Sequence, residues 1–162
     1  MVGPDESPRG FARIHLATAL ILRAGCVLLV ASRYPNHAQP LWNLPGGRQQ
    51  PGELLPDTVA REVREETGLR ASAGALLYVS ESYDGDTHFT NCTFAVEAAG
   101  DPRAPATFAD HVVAVEWVAI GDLEARLRVR VVREPLLAWL GGTLGRRYAG
   151  YADAEISIEF PD

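Results

Sequence analysis

The order of patterns along the chain predicts an α/β or α+β fold: a single domain with a mixed β-sheet and helices packed on its faces. Three observations carry this. At 162 residues, with 47% hydrophobic and 22% charged side chains, the chain suits one core. Two strand-like runs come first, then one amphipathic helical stretch, then further strands and finally helices. No repeat or low-complexity tract interrupts that order.

Residues 1–10 mix Gly, Pro, Asp and Ser and predict a loose arm. Arg13 to Arg23 is rich in Ile, Leu, Ala and Thr, the composition of a mostly buried strand. Ala24-Gly25 predicts a tight turn, and Cys26 to Ser32 the returning strand. Arg33 to Pro45 holds three prolines and has no apolar period, so it predicts a loop. Pro45-Gly46-Gly47 predicts a turn with special backbone demands, and the loop continues through residues 48–55. Pro56-Asp57-Thr58 opens a helix to about Thr67, with Gly68 as its C-cap. Val59, Ala60, Val63 and Thr67 recur on one side and predict the face turned to the core.

Further strands are predicted at Ala75–Tyr83 and His88–Glu97, about a hairpin turn at Asp84-Gly85-Asp86. Gly100 to Asp110 reads as a second long loop and Val112 to Ile120 as another strand. Asp122 predicts the cap of a short helix, and Glu134-Pro135 the opening of one more that stops at Gly141-Gly142. Residues 143–162 read as a C-terminal extension. Within it, Ile156-Ser157-Ile158-Glu159-Phe160 alternates and predicts an edge strand offered to a neighbour, hence a homodimer.

The net charge of −6 argues against nonspecific grip on a nucleic-acid polymer, which needs a positive footprint. Two cysteines, Cys26 and Cys92, are too few for a disulfide framework or a zinc cluster, and read as small core hydrophobes. The first residues lack an apolar signal core. The apolar run from Ile14 to Val30 is broken by His15, Arg23 and Gly25, short of the ~20 residues a membrane span needs. The expectation is a cytoplasmic protein with no membrane contact.

The informative stretch is Gly47 to Leu69, GRQQPGELLPDTVAREVREETGL. Glu62, Glu65 and Glu66 stand at i, i+3 and i+4, so a helix projects all three carboxylates from one strip. Like charges at that spacing repel, and a hard divalent cation between them would reverse the sign. A solvated face balanced by Arg61 and Arg64 would also be acidic. It would not account for the glycine turn, Glu53 six residues beyond Gly47, or the glycine at the helix end.

The segment resembles the Nudix box, G-x5-E-x7-R-E-U-x-E-E-x-G-U with U aliphatic. Gly47, Glu53, Arg61, Glu62, Val63, Glu65, Glu66, Gly68 and Leu69 fill every specified position. At ordinary residue frequencies a chance match is roughly one in a billion per start position. Trp42-Asn43-Leu44-Pro45-Gly46 also resembles the family's lead-in. The resemblance implies a Nudix-like α/β/α sandwich and Mg2+-dependent hydrolysis of a diphosphate linkage in a small nucleotide, with Mn2+ as a substitute. It implies that Glu62, Glu65, Glu66 and the Gly46 carbonyl bind metal. Glu53 would brace the loop or hold a metal-bound water. Arg61 would fix a neighbouring carboxylate through paired hydrogen bonds. Val63 and Leu69 would anchor the unit, and Gly68 would end the helix.

The general base is less defined. Many relatives resemble D-E-V-x-x-x-x-W at a later strand; here Asp110-His111-Val112 precedes Trp117, so His111 stands where the glutamate would be. Glu62 is the favoured base, with His111 and Asp110 as alternatives. For a base or phosphate, the candidates are Trp42, Tyr34, Tyr83 and Phe89 as stacking rings and Arg33, Arg48 and Arg103 as cations. ADP-ribose-cleaving relatives often carry a proline some fifteen residues past the box. None occurs between Pro56 and Pro102, which favours a nucleoside triphosphate, including a modified one, over ADP-ribose or a nucleotide sugar. The intact acidic set favours catalysis over a sensing or protein-binding role.

Overall fold

The computed structural model describes residues 12–105 and 111–160. Two sheets organise the chain. The five-stranded sheet has β5 (Gly46–Arg48), β1 (Ala12–Leu20), β7 (Thr87–Ala99), β6 (Arg70–Asp84) and β9 (Tyr148–Tyr151) in that order. It is mixed: β1 and β7 run parallel, as do β6 and β9, while β1–β5 and β6–β7 are antiparallel. In the second sheet β3 (Cys26–Ser32) pairs with β2 (Leu22–Arg23), β4 (Leu41–Asn43) and β8 (Val112–Ala119), all antiparallel. The mixed sheet expected from the sequence is thus accompanied by a second one.

Helix α1 (Leu55–Thr67) buries Val59 and Val63 completely against Ala17, Ala19, Leu28 and Phe94. Asp57 accepts the Leu54 amide at 3.2 Å, and Gly68, at φ 71°, closes the helix by donating to the Arg64 carbonyl at 2.9 Å. The odd-numbered residues of β1 face α1. Leu20, on the other face, packs with Leu29, Leu44, Leu123, Leu127 and Leu136, which places α2 (Leu123–Arg126) and α3 (Arg130–Leu140) there. Helices therefore cover opposite faces, the sandwich that the family resemblance implies.

Several boundaries differ from the expectations. The Arg33–Pro45 loop contains β4, and the Gly46-Gly47 turn is part of strand β5, because β3 and β1 supply ladders that no local pattern announces. Strands β6 and β7 are longer than the apolar runs, since each pairs with the other along its length. Pro135 does not open a helix but sits inside α3, which begins at Arg130. The amides of Val132 and Arg133 already bond the Val129 carbonyl, so the helix is under way before the proline.

The largest correction concerns the tail. Ile156–Phe160 is not a strand; it lies against the loop before β4 of its own chain. Asn36 Nδ2 and His37 Nε2 donate to the Ser157 carbonyl at 2.7 and 2.8 Å, and the Glu159 amide donates to Asn36 Oδ1 at 2.9 Å. Upstream, β9 pairs with β6, the Ala154 amide donates to the Tyr83 carbonyl at 2.9 Å, and Ala154 is buried. No helix among the described residues is long and apolar enough to cross a membrane.

Ending the chain at Gly142 should therefore destabilise the domain, not merely alter assembly. Loss of a short strand ladder, at about 1 kcal/mol per hydrogen bond, predicts a drop of roughly 2–4 kcal/mol in urea unfolding.

Candidate active site

The acidic strip of α1 is organised by one side chain. Arg61 spends all five of its N–H donors. Nε reaches Glu53 Oε1 at 2.5 Å. One terminal nitrogen bonds Glu62 Oε1 at 2.9 Å and Glu65 Oε2 at 3.1 Å. The other bonds Glu53 Oε2 and the Arg48 carbonyl, both at 3.1 Å. Glu53 also accepts the Gln50 amide at 3.0 Å and the Thr58 hydroxyl at 2.9 Å. The Arg61 guanidinium, followed by the Gln50 amide, holds the Glu53 carboxyl down at about 2, and the same pairing pushes Arg61 further up.

Glu66, buried, accepts the Gly46 amide at 2.7 Å. The glycines of β5 make this contact possible. A Cβ on Gly47 would lie 2.5 Å from Glu62 Oε1, and one on Gly46 would lie 2.3 Å from the Ala17 carbonyl oxygen. Both are closer than real Cβ contacts allow, so the helix can close on this strand only where side chains are missing.

The carboxylates form one wall of a cavity of about 710 Å³. Leu16, Thr18, Tyr78, Ser80 and Asn91 line its floor, and Tyr34, Phe89, Ile156, Ile158 and Phe160 line its sides. Among the described residues no three His, Cys, Asp or Glu side chains are arranged as a ready-made ion cage. The donor set is nevertheless three carboxylates on one rigid helix beside a bare glycine backbone. Hard oxygen donors of this kind suit a divalent cation of the magnesium or manganese type.

The structure brings together Glu53, Arg61, Glu62, Glu65, Glu66, Gly46 and Arg48. His111 lines the same cavity, its ring centred 5.4 Å from that of Tyr34. Asp110 lies outside the described residues. The other substrate candidates fall elsewhere. Trp42 packs on the Leu20–Leu136 cluster beneath the Arg126 guanidinium, 4.7 Å from its ring. Tyr83 stacks on His88 at 4.5 Å and does not line the cavity. Arg33 borders a separate, shallower cavity with His37 and Pro40. The Arg103 amide bonds the Thr67 carbonyl at the end of α1. Asn91 and Phe160 were not singled out from the sequence. A polar residue at an inward strand position, as in Phe89-x-Asn91-x-Thr93, is a readable signal for the first; for the second the Ile156–Phe160 alternation marks an apolar face without saying what it lines.

A family model described as NUDIX domain matches residues 13–140, and the chain belongs to that family. It is 34% identical over 86 residues to a putative 8-oxo-dGTP diphosphatase of Bacillus subtilis, covering 52% of this chain and 54% of the relative. It is 33% identical over 107 residues to an ADP-ribose pyrophosphatase of Methanocaldococcus jannaschii, covering 60% and 63%. The matches thus span little more than half the length of these relatives. The fold matches that of a NUDIX hydrolase from Nitrosomonas europaea with a TM-score of 0.69 and 24% identity, covering 84% of this chain and 92% of that one.

Because Glu53 ionises near pH 2 in the fold instead of its ordinary 4.5, its contribution to stability is complete above pH 4.5 and fades as pH falls toward 2. Glu53→Gln should lower the melting temperature at neutral pH. It should also flatten the acid limb over that window, as read by thermal melts across pH.

Proposed function

We propose that this protein hydrolyses a diphosphate linkage in a nucleoside diphosphate derivative, with a nucleoside triphosphate, including a modified one, as the leading substrate and Mg2+ as the metal. The observation that carries this reading is the Arg61-centred carboxylate cluster on the wall of a cavity large enough for a nucleotide. Membership of the Nudix family and the 8-oxo-dGTP diphosphatase relative support the substrate class.

Glu62, Glu65 and Glu66, with the Gly46 carbonyl, would hold the metal. When bound, it would neutralise charge on the diphosphate oxygens and lower the pKa of a water. The protein's own part is positioning. Arg61 fixes Glu62 and Glu65 relative to the β5 backbone, and Glu53 fixes Arg61. Holding the carboxylates before substrate arrives removes reorganisation from the reaction itself. Glu62, half-buried beside Gly47, is the proposed acceptor of the water's proton, and His111, across the same cavity, is the alternative. The apolar sides of the cavity would exclude bulk water around the base.

A panel of nucleoside triphosphates, ADP-ribose and nucleotide sugars, hydrolysed in oxygen-18 water with Mg2+ and read by mass spectrometry, tests the reading. It identifies the substrate and the attacked phosphorus together. Turnover of ADP-ribose alone would replace the triphosphate assignment, and tight binding without turnover would replace hydrolysis by sensing. Glu65→Gln should reduce kcat by about 100-fold or more while the fold persists by circular dichroism. Arg61→Lys cannot span four acceptors from one ammonium and should cost about 100-fold in kcat through displaced carboxylates.

A further inference from the structure

Thr18 and Asn91 of the cavity floor form, with the fully buried Thr93, a polar group that hydrolysis does not use. The Thr18 and Thr93 hydroxyls are 2.8 Å apart, and Asn91 Nδ2 donates to both, at 3.1 and 3.2 Å. Thr93 also bonds the buried Tyr78 hydroxyl. This leaves Asn91 Oδ1 as a buried acceptor that meets no donor among the described residues. A buried carbonyl oxygen without a partner is costly; Oδ1 is covered in this structure, but Asn91 lines the cavity, so turning the amide outward would let a ligand donor satisfy it.

Strand register says what kind of ligand. Arg48, Leu16, Asn91 and Ser80 lie in one row across the sheet, and Gly46, Thr18, Thr93 and Tyr78 in the next. At about 4.8 Å between strands, Asn91 sits about 10 Å from β5, where the carboxylates gather. That separation leaves room for a sugar and a phosphate. Phe89 precedes Asn91 by two residues on the same face of β7, and its ring lies 6.4 Å from that of Phe160, which Arg48 caps at 4.3 Å. The acceptor therefore stands beside an aromatic wall suited to a flat heterocycle.

We propose that Asn91 is a specificity-determining residue whose Oδ1 accepts a hydrogen bond from an exocyclic amino group of the substrate's nucleobase, seated beside Phe89 and Phe160. This rests on the nucleotide-hydrolase reading above. A site with a buried acceptor discriminates against a base that lacks the donor, because the acceptor is then left desolvated and unpaired.

The test compares paired substrates that differ only in the amino group: ATP with purine riboside triphosphate, and GTP with ITP. For the wild type, kcat/KM and, independently, Kd by calorimetry should favour the amino member of at least one pair by about tenfold. Asn91→Leu should bring that ratio close to one by raising KM for the amino substrate. Asn91→Ala serves as a second variant should leucine disturb folding. Absence of preference in the wild type, or preference that survives in the folded variant, overturns the assignment. If no triphosphate is turned over, the triphosphate assignment falls, while the Kd ratios still decide the role of Asn91.

Discussion

The site depends on one guanidinium. Three like charges on adjacent turns of a helix repel, and with Glu53 nearby the local charge would be strongly negative. Arg61 meets Glu53, Glu62 and Glu65 together, and ties them to the β5 backbone through the Arg48 carbonyl. Its planar fork matters here, because five donors in fixed directions can satisfy four separated groups where a single point charge cannot. The loop before α1, the helix itself and the edge of the five-stranded sheet are joined at this residue.

The second constraint is the absence of side chains. α1 packs on the odd-numbered face of β1, yet its carboxylates border a cavity lined by Leu16 and Thr18 on the other face. The connection passes β5, where Gly46 and Gly47 leave nothing between helix and strand. Stability and chemistry use the same helix in different ways: Val59 and Val63 bind it to the core, while Glu62, Glu65 and Glu66 face the cavity wall.

The C-terminal segment completes that cavity. Its alternating residues have the pattern of a strand, but the Asn36 and His37 side chains take up the Ser157 carbonyl, and Asn36 takes up the Glu159 amide. Ile156, Ile158 and Phe160 then line the cavity rather than an exposed edge. Alternation reports that one face is apolar; it does not say which surface covers that face.

Much of the helix was legible from the sequence: its core face, its glycine cap and its acidic strip all follow from local spacing. So were the Ala24-Gly25 and Gly85-Asp86 turns, where backbone chemistry is local. The nine motif positions identified the family from side-chain types alone. Short strands β4 and β5, the start of α3, the placement of Trp42 and Tyr83 away from the cavity, and the return of the tail were decided by the tertiary structure. Each depends on partners distant in sequence: a three-residue strand exists only through its ladder, and an aromatic ring becomes a binding surface only through what packs beside it. Sequence determined which carboxylates gather on one strip; the fold decided which floor and walls they face.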